Sequence, residues 1–572
     1  MRRALLLVCV AWCLCAATAS AQQAPRRELR GVWLTTLSGL DWPAAADRGN
    51  LDAQKRSLTA ILDRIVAMKL NAVFFQVRSR GNAFYASERE PWASELTGSF
   101  GRDPGWDPLA FAVDECHKRG LELHAWFNVF KVWSGGAVPQ SAQPTHIAVR
   151  HPSWVRSYGS DVWLDPGIPE ARAWCVDVAV DIARRYDIDA MHLDYVRYPD
   201  ADFADDETWR RFGRGGSKAD WRRANVTAFV REASQRIARI KPRVRIGAAP
   251  IGIYENLPTA RGWQGLHAIA QDSRAWLREG LIDYVAPQVY WGLRARGSTI
   301  DFESLVKDWS RAAAGRHVFI GMAPYKDDVK RWLGEHIDAC RAGGADGGVF
   351  FRYAHIADGA FGGRYATRAL PPANTWRDHV RPNPPRALAV ERSSAVRLTW
   401  QAPATASDGE GAWMYVVHRL RGGMTTEDPA SILGILPSTT TAYTDAEAVP
   451  DDEYAVTALD RSGNESEATA SMPAIARRLP APSIALPENG VSTPILGPAG
   501  LVLIAYTVAE RGPVRLRLLD TRGAEAAILV DEESEPGTYI VGIERAKLPA
   551  EIERYVFEVG GMRMLRAFAP GE

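Results

Sequence analysis

From about residue 29 to 365 the chain alternates short apolar runs with amphipathic stretches. The apolar runs begin near Leu29, Asn71, Leu121, Ile188, Val244, Ile282, His317 and Gly347, and they read as strands. Between them apolar residues recur at helical spacing. Examples are Leu58, Ile61, Leu62, Ile65 and Met68; Ala171, Trp174, Cys175, Val178 and Ile182; and Val226, Phe229, Val230, Ala233, Ile237 and Ile240. Gly120, Gly280 and the Gly343-Gly344 pair stand where glycines end helices. Eight strand–helix repeats predict an α/β fold, a (β/α)8 TIM barrel over residues 26–370. The rival, a doubly wound open sheet, usually opens with a glycine-rich phosphate loop, and Trp33-Leu34-Thr35-Thr36 is nothing like one.

Behind the barrel the helical period stops. Pro371-Pro372 and Arg381-Pro-Asn-Pro-Pro385 read as a linker. Val396–Trp400, Met414–His418, Ala442–Asp445 and Tyr454–Ala458 then alternate as strands separated by turns. The early-strand Trp400, the later Tyr-x-Val-x-Ala strand and Asp460-Arg-Ser-Gly-Asn-Glu-Ser466 resemble a fibronectin type III domain over residues 384–475. Residues 480–572, with Val514–Gly523 and Gly537–Gly542, look like a second small β-sandwich of the Ig-like kind. The expected fold is therefore a TIM barrel followed by two all-β sandwich domains.

Composition narrows the classes. At 46% hydrophobic and 24% charged residues the chain is ordinary for a folded protein, and a formal net charge of +1 gives no electrostatic case for nucleic acid or an anionic membrane. The N-terminus changes the picture more. Arg2 and Arg3, the apolar run Ala4–Cys15 and the small-x-small site Ala19-Ser20-Ala21 predict a signal peptide over residues 1–21. The expected location is the periplasm, the outer-membrane surface or the exterior, with no transmembrane segment in the mature chain. Cys116, Cys175 and Cys340 lie far apart within helical patterns and predict buried free thiols.

Chemistry in such a barrel belongs at the C-terminal ends of the strands. In strand two Phe74, Gln76 and Arg78 alternate with Val73, Phe75 and Val77; in strand three His124, Trp126 and Asn128 alternate with Leu123, Ala125 and Phe127. Strand four sets His192 and Asp194 against Met191 and Leu193, strand six sets Gln288 and Tyr290 against Val285, Pro287 and Val289, and strand eight ends on Phe350 and Arg352 against Val349 and Phe351. The first set of each pair turns polar toward the mouth, where a purely structural barrel would hold Val, Ile and Leu. Long segments after strand two (81–107), strand three (129–169) and strand four (199–222) would build a groove on the same rim, a shape that suits a polymer.

Asp189-Ala-Met-His-Leu-Asp-Tyr-Val-Arg-Tyr-Pro199 is the sharpest segment. A carboxylate at position 194 can attack an anomeric carbon or stabilise the positive charge that develops there, while His192 and Arg197 hold it ionised and bind hydroxyls. Arg30-Gly-Val-Trp33, Asn71–Arg78, Trp106-Asp-Pro-Leu109, His124-Ala-Trp-Phe-Asn128, Trp163-Leu-Asp-Pro-Gly167, His192–Pro199 and Asp283–Trp291 occur in order. Together they resemble the glycosyl-hydrolase-like family 10 domain. That group is related to a division-associated enzyme that cleaves stripped peptidoglycan glycan strands. The resemblance implies an exported TIM-barrel glycoside hydrolase acting on a polysaccharide, with Asp194 as the family-like acid on strand four.

Glycoside hydrolysis normally needs two carboxylates. Glu255, after strand five, is the candidate second acid and equally reads as a solvated loop residue; Asp41, Asp205, Asp301 and Asp327 are further rim candidates. Expected substrate contacts are Gln76, Arg78, Asn128, Gln288 and Arg352 for polar groups, Trp33, Trp126, Tyr290 and Trp291 for sugar faces, and His192, Tyr195 and Arg197 around Asp194. No cofactor and no metal is expected, since His124 and His192 with Asp194 lack a firm fourth ligand. Two alternatives compete with the hydrolase. One is a non-catalytic glycan-binding protein on a degenerate barrel. The other is an amidase or deacetylase, which needs a metal cluster or an activated nucleophile that the sequence does not display.

Overall fold

The computed structural model describes residues 24–392, 395–470, 476–479, 488–497, 501–545, 548 and 552–569. The signal peptide expected over residues 1–21 lies outside them. Eight parallel strands close a barrel: β1 (Leu29–Leu34), β2 (Ala72–Arg78), β3 (Glu122–Asn128), β4 (Ala190–Asp194), β5 (Arg245–Ala248), β6 (Tyr284–Val285), β7 (His317–Met322) and β8 (Gly347–Phe350). Every strand neighbours the next in sequence, and β8 closes on β1 through Leu29↔Gly347 and Val32↔Phe350.

Two layers of side chains hold it together. The outward set of the strands, including Val73, Phe75, Leu123, Ala125, Met191, Leu193 and Val285, packs under the helices in one continuous core. The expected helix faces are the ones buried there: Leu58, Leu62 and Ile65 on Leu51–Ala67, Ala171, Trp174, Cys175, Val178 and Ile182 on Pro169–Arg185, and Val226, Phe229, Val230, Ala233 and Ile237 on Lys218–Ile240. Side chains cap the helix starts, as where Asn50 accepts from the Ala53 N–H, Asp107 from Ala110 and Ser217 from Asp220. Inside the barrel the small Ala72, Ala190 and Ala286 make room for Trp33, Phe74, Trp126, Tyr284 and Phe319. The three cysteines are buried and free, and burial raises each thiol's pKa.

The segment after β3, expected as an open loop, carries a small antiparallel sheet of Lys131–Ser134, Asp161–Leu164 and Val155–Tyr158 on the rim. Its turn at Gly159-Ser160, with Gly159 in the left-handed region (φ 58°), is a hairpin signal legible in the sequence.

Behind the barrel all the regular structure is β, apart from short 3-10 turns, among the described residues. The chain forms two compact units. The first joins the barrel with residues 397–444 and 456–469; the second comprises 388–396, 445–455 and 470–572. In the first, Met414–Leu420 pairs antiparallel with Ile432–Pro437. In the second, Leu501–Val508 pairs with Gly537–Glu544, and Gly512–Asp520 lies between Glu525–Ser534 and Ile552–Val559 in another sheet. The stretch 371–385 is more than a linker: Trp376 Nε1 donates to Asp283 Oδ1 at 2.8 Å, and Arg377 clasps both oxygens of Asp283 at 2.6 Å. No helix among the described residues is long and apolar enough to cross a membrane.

Candidate active site

A cleft of about 270 Å³ opens at the C-terminal ends of the strands, and Asp194 lines it from the end of β4. Tyr195 adopts the left-handed region (φ 50°), which folds its N–H back onto Asp194 Oδ1 at 2.7 Å. Holding a non-glycine residue there costs about 1–3 kcal/mol, an expense usually met at functional sites. Gln288 Nε2 donates to the same oxygen at 3.4 Å. Burial raises the Asp194 pKa to about 6, against the opposing pull of the Tyr195 N–H and the Arg197 guanidinium. Asp194 is the only acidic side chain lining the cleft among the described residues.

Around it the expected residues converge. Gln76 Oε1 accepts from the Thr36 and Leu37 N–H groups at 3.1 and 2.9 Å, which leaves its NH2 as the free donor on the cleft. Asn128 Nδ2 donates to Ser79 O at 2.9 Å, while its Oδ1 is buried without a partner, an acceptor waiting for a donor. Trp33, Trp126, Tyr195, Arg197, Gln288 and Tyr290 also face the cleft. The Trp126 indole stands beside the Asp194 carboxylate, yet its Nε1–H meets no acceptor at hydrogen-bonding geometry.

Other expected residues stand elsewhere. His192 points inward, but one layer below the cleft. Its Nε2 accepts from Trp33 Nε1 at 3.1 Å, and Nδ1 meets Tyr284 Oη at 3.2 Å. Tyr284 Oη also meets His124 Nδ1 at 2.8 Å, His124 Nε2 meets Glu122 at 3.1 Å, and Glu122 pairs with Arg245 at 2.6 Å. One set of tautomers satisfies the whole chain with both imidazoles neutral: each histidine donates from one nitrogen and accepts at the other. Burial lowers the pKa of both histidines. His192 therefore anchors Trp33 rather than touching a sugar, and the histidine pair has spent its nitrogens on protein partners.

Arg78 is lost to the cleft through a β-bulge. Gln76 pairs with Trp126 and Arg78 with Phe127, so the register slips at Val77 and Arg78 turns to the outward face. There it lies over the Phe127 ring and forms a fully buried pair with Glu90 at 2.6 Å. In β8 the expected inward and outward sets are exchanged: Val349 and Phe351 pack inside and Phe350 outside. The strand proper, Gly347–Phe350, is apolar throughout, and Arg352, which pointed to the other set, lies beyond its end. Phe351 lines the cleft, and Arg352 turns to Asp41 at 2.5 Å. Trp291 packs over Gly252, outside the cleft lining.

Glu255 is half-buried and pairs with His267 at 3.1 Å, away from the cleft lining. The remaining rim acids are structural as well. Asp205 binds Arg222 and Lys218, and Asp301 caps the helix Phe302–Arg311. Asp327 sits in the first turn of Asp327–Lys330. Asp378, Asp408 and Glu410 come together as metal ligands would, but Arg243 bridges all three.

Sequence reading missed Arg80, two residues beyond β2, and Lys131 and Ser134 on the rim sheet. Lys131 Nζ meets Asp161 at 2.8 Å, and Ser134 Oγ donates to Asp161 at 2.9 Å. With Lys131 held by Asp161, the guanidinium groups of Arg80 and Arg197 stand against the single carboxylate of Asp194 on the cleft wall. In a chain of net charge +1 this is a local concentration of positive charge.

Residues 28–331 match the family model described as glycosyl hydrolase-like 10. The chain is 32% identical over 480 residues to the glycosyl hydrolase YngK of Bacillus subtilis (strain 168), covering 77% of this chain and 92% of the relative. It is 35% identical over 330 residues to the glycosyl hydrolase DigH of Escherichia coli (strain K12), covering 53% of this chain and 75% of that one. Among solved structures, the glycoside hydrolase domain of PgaB (BpsB) from Bordetella bronchiseptica matches with a TM-score of 0.41 and 14% identity, over 59% of this chain and 98% of that domain.

Proposed function

Since the chain belongs to the glycosyl hydrolase-like 10 family, we propose that it is an exported glycoside hydrolase that cleaves a polysaccharide, the glycan strands of peptidoglycan, with Asp194 as the reacting carboxylate. The observation that carries this reading is Asp194 itself: a buried carboxylate at the end of β4, lining the cleft with no basic side chain in salt-bridge contact among the described residues. A charge left without a partner in a barrel mouth is a poor structural device and a good chemical one.

As the glycosidic bond breaks, positive charge grows on the anomeric carbon, and the ionised Asp194 faces it as nucleophile or stabiliser. Water then delivers hydroxide to that carbon and a proton to the departing sugar oxygen. Tyr195 N–H and Gln288 fix Oδ1, so the carboxylate keeps its orientation through the reaction. Asn128 Oδ1 and the Gln76 amide offer an acceptor and a donor to hydroxyl or acetamido groups. The Arg80 and Arg197 guanidinium groups favour a glycan that carries carboxylates, as the lactyl ethers of stripped peptidoglycan do. Export rests on the apolar and small-residue pattern of residues 1–21. Residues 384–475, with the half-buried alternation of Val396–Gln401, are proposed as a fibronectin type III-like module.

The test uses glycan strands freed of their peptides. Wild type should shorten them, and Asp194→Asn should lose at least about 10³-fold in rate while still binding. Wild-type protein that binds the strands and leaves them intact would assign the cleft to recognition alone.

A further inference from the structure

The cleft is small for a polymer. Ligand pockets commonly run to about 300–1,000 Å³, and this one is about 270 Å³. A polysaccharide that places a sugar at Asp194 extends beyond the cavity onto the rim. Trp263 and Tyr325 are the exposed large aromatics among the described residues, at 43% and 44% exposure. Both are joined to the cleft wall. The Arg197 guanidinium sits 4.9 Å from the Trp263 ring centroid. Tyr325 packs edge-on against Tyr290 at 6.2 Å and Phe351 at 6.1 Å.

Their places in the barrel matter. Trp263 lies on the segment after β5 and touches Arg197 behind β4, whereas Tyr325 lies on the segment after β7 and touches Tyr290 behind β6 and Phe351 behind β8. The two aromatics thus meet the cleft lining in different sectors of the mouth, Trp263 beside the strand that carries Asp194 and Tyr325 farther round the barrel. A lone exposed aromatic is unremarkable on a protein surface. Two of them, each braced against cleft-lining side chains in a different sector of the mouth, give a strand two footholds on the rim.

We propose that Trp263 and Tyr325 are sugar-stacking platforms on the rim around Asp194, so that a glycan strand passes over both and is cut internally. The chemistry is the contact between an apolar pyranose face and an aromatic ring, which orients the ring without demanding a particular substituent. This inference rests on the glycan-hydrolase reading above and adds the path of the chain and the mode of attack.

The experiment compares full-length mature wild type with Trp263→Ala, Tyr325→Ala, Trp263→Phe and Tyr325→Phe. The probes are alternating amino-sugar glycan oligomers of graded length and long peptide-free strands. Both residues are exposed, and unchanged thermal melts establish that the variants fold. Each alanine variant should lose about three- to tenfold in kcat/KM on long strands, chiefly through KM. It should keep wild-type turnover on the shortest oligomer that is cleaved. The phenylalanine variants should keep the wild-type length dependence. Alanine variants that match wild type at every length, or lose equally at every length, would overturn the platforms while leaving the hydrolase reading intact. Products released only from chain ends would overturn internal cutting. If wild type neither binds nor cleaves any probe, the parent reading falls, and this one with it.

Discussion

Burial at position 194 gives the folded state an ionisation penalty that the unfolded chain lacks. The Asp194 pKa is raised to about 6 in the fold, against about 3.9 in an unfolded chain. The folded protein therefore holds this proton more tightly, so stability falls as pH rises from about 4 to about 6 and stays lower above that. Asp194→Asn removes the penalty. We expect it to raise stability at pH 7 by up to about 3 kcal/mol while abolishing hydrolysis, and urea melts with parallel activity assays read both. The same ionisation sets the pH profile: kcat/KM should climb through about pH 6 and level off, and a profile falling there would make Asp194 a proton donor instead. His192 and His124 have the opposite sign. Burial lowers both in the folded state, so stability is present above the unfolded histidine value of about 6.5 and is lost below it. The loss should reach about 1.4 kcal/mol per pH unit for each histidine until its folded pKa is passed. A His192→Asn variant should show a shallower decline between pH 6.5 and 5 in urea melts.

At the level of strands, the interior of the barrel depends on what β5 leaves out. A Cβ at Gly247 would stand 1.9 Å from Tyr284 Cζ, so Gly247→Ala must displace the tyrosine that both histidines bind. We expect a loss of about 1–3 kcal/mol and, through His192 and Trp33, weaker substrate binding; chemical melts and KM measure the two effects. Strand-level features also decide what a sequence discloses. The eight strands, their helices and the polar ends of β2, β3, β4 and β6 were legible because alternation sorts apolar from polar side chains there. Asp194, Gln76, Asn128 and Gln288 were found on that ground. Arg78 was misplaced because a bulge at Val77 adds a residue to one strand without any mark in composition. Phe351 was misplaced because β8 is apolar on both faces. His192 was given the right face but the wrong depth, since period two tells direction and not height in the barrel. Lys131 and Ser134 lie on a short rim sheet inside a long connection, where four-residue strands leave too little alternation to stand out from loop.

Across the whole molecule, the first compact unit keeps chemistry at one end of its barrel and bracing at the other. The residues just before the strands are where the later chain attaches: Arg461 meets Asp187 ahead of β4 at 2.5 Å, and Arg243 ahead of β5 binds Asp408 at 3.2 Å. Ahead of β1, Arg26 makes a two-pronged pair with Glu465 at 2.6 and 2.7 Å, and Arg27 reaches the same carboxylate at 3.1 Å. Thr457 Oγ1 adds a fourth donor at 2.7 Å. Glu465 is mostly buried and serves two guanidinium groups, so Glu465→Gln keeps the shape and removes the charge both of them need. Breaking a buried pair from one side costs about 3–5 kcal/mol, and the partial exposure of Arg27 at 28% reduces this to roughly 2–3 kcal/mol. The cleft lies at the far end of the barrel strands, so kcat/KM on glycan strands should stay within about twofold of wild type, as for substitutions with no shared partners. Melting and kinetics on the same preparation separate the two effects. A Glu465→Gln protein that melts normally would show that the floor contacts add little, and one that melts normally but loses activity would tie the floor to the cleft through the barrel itself.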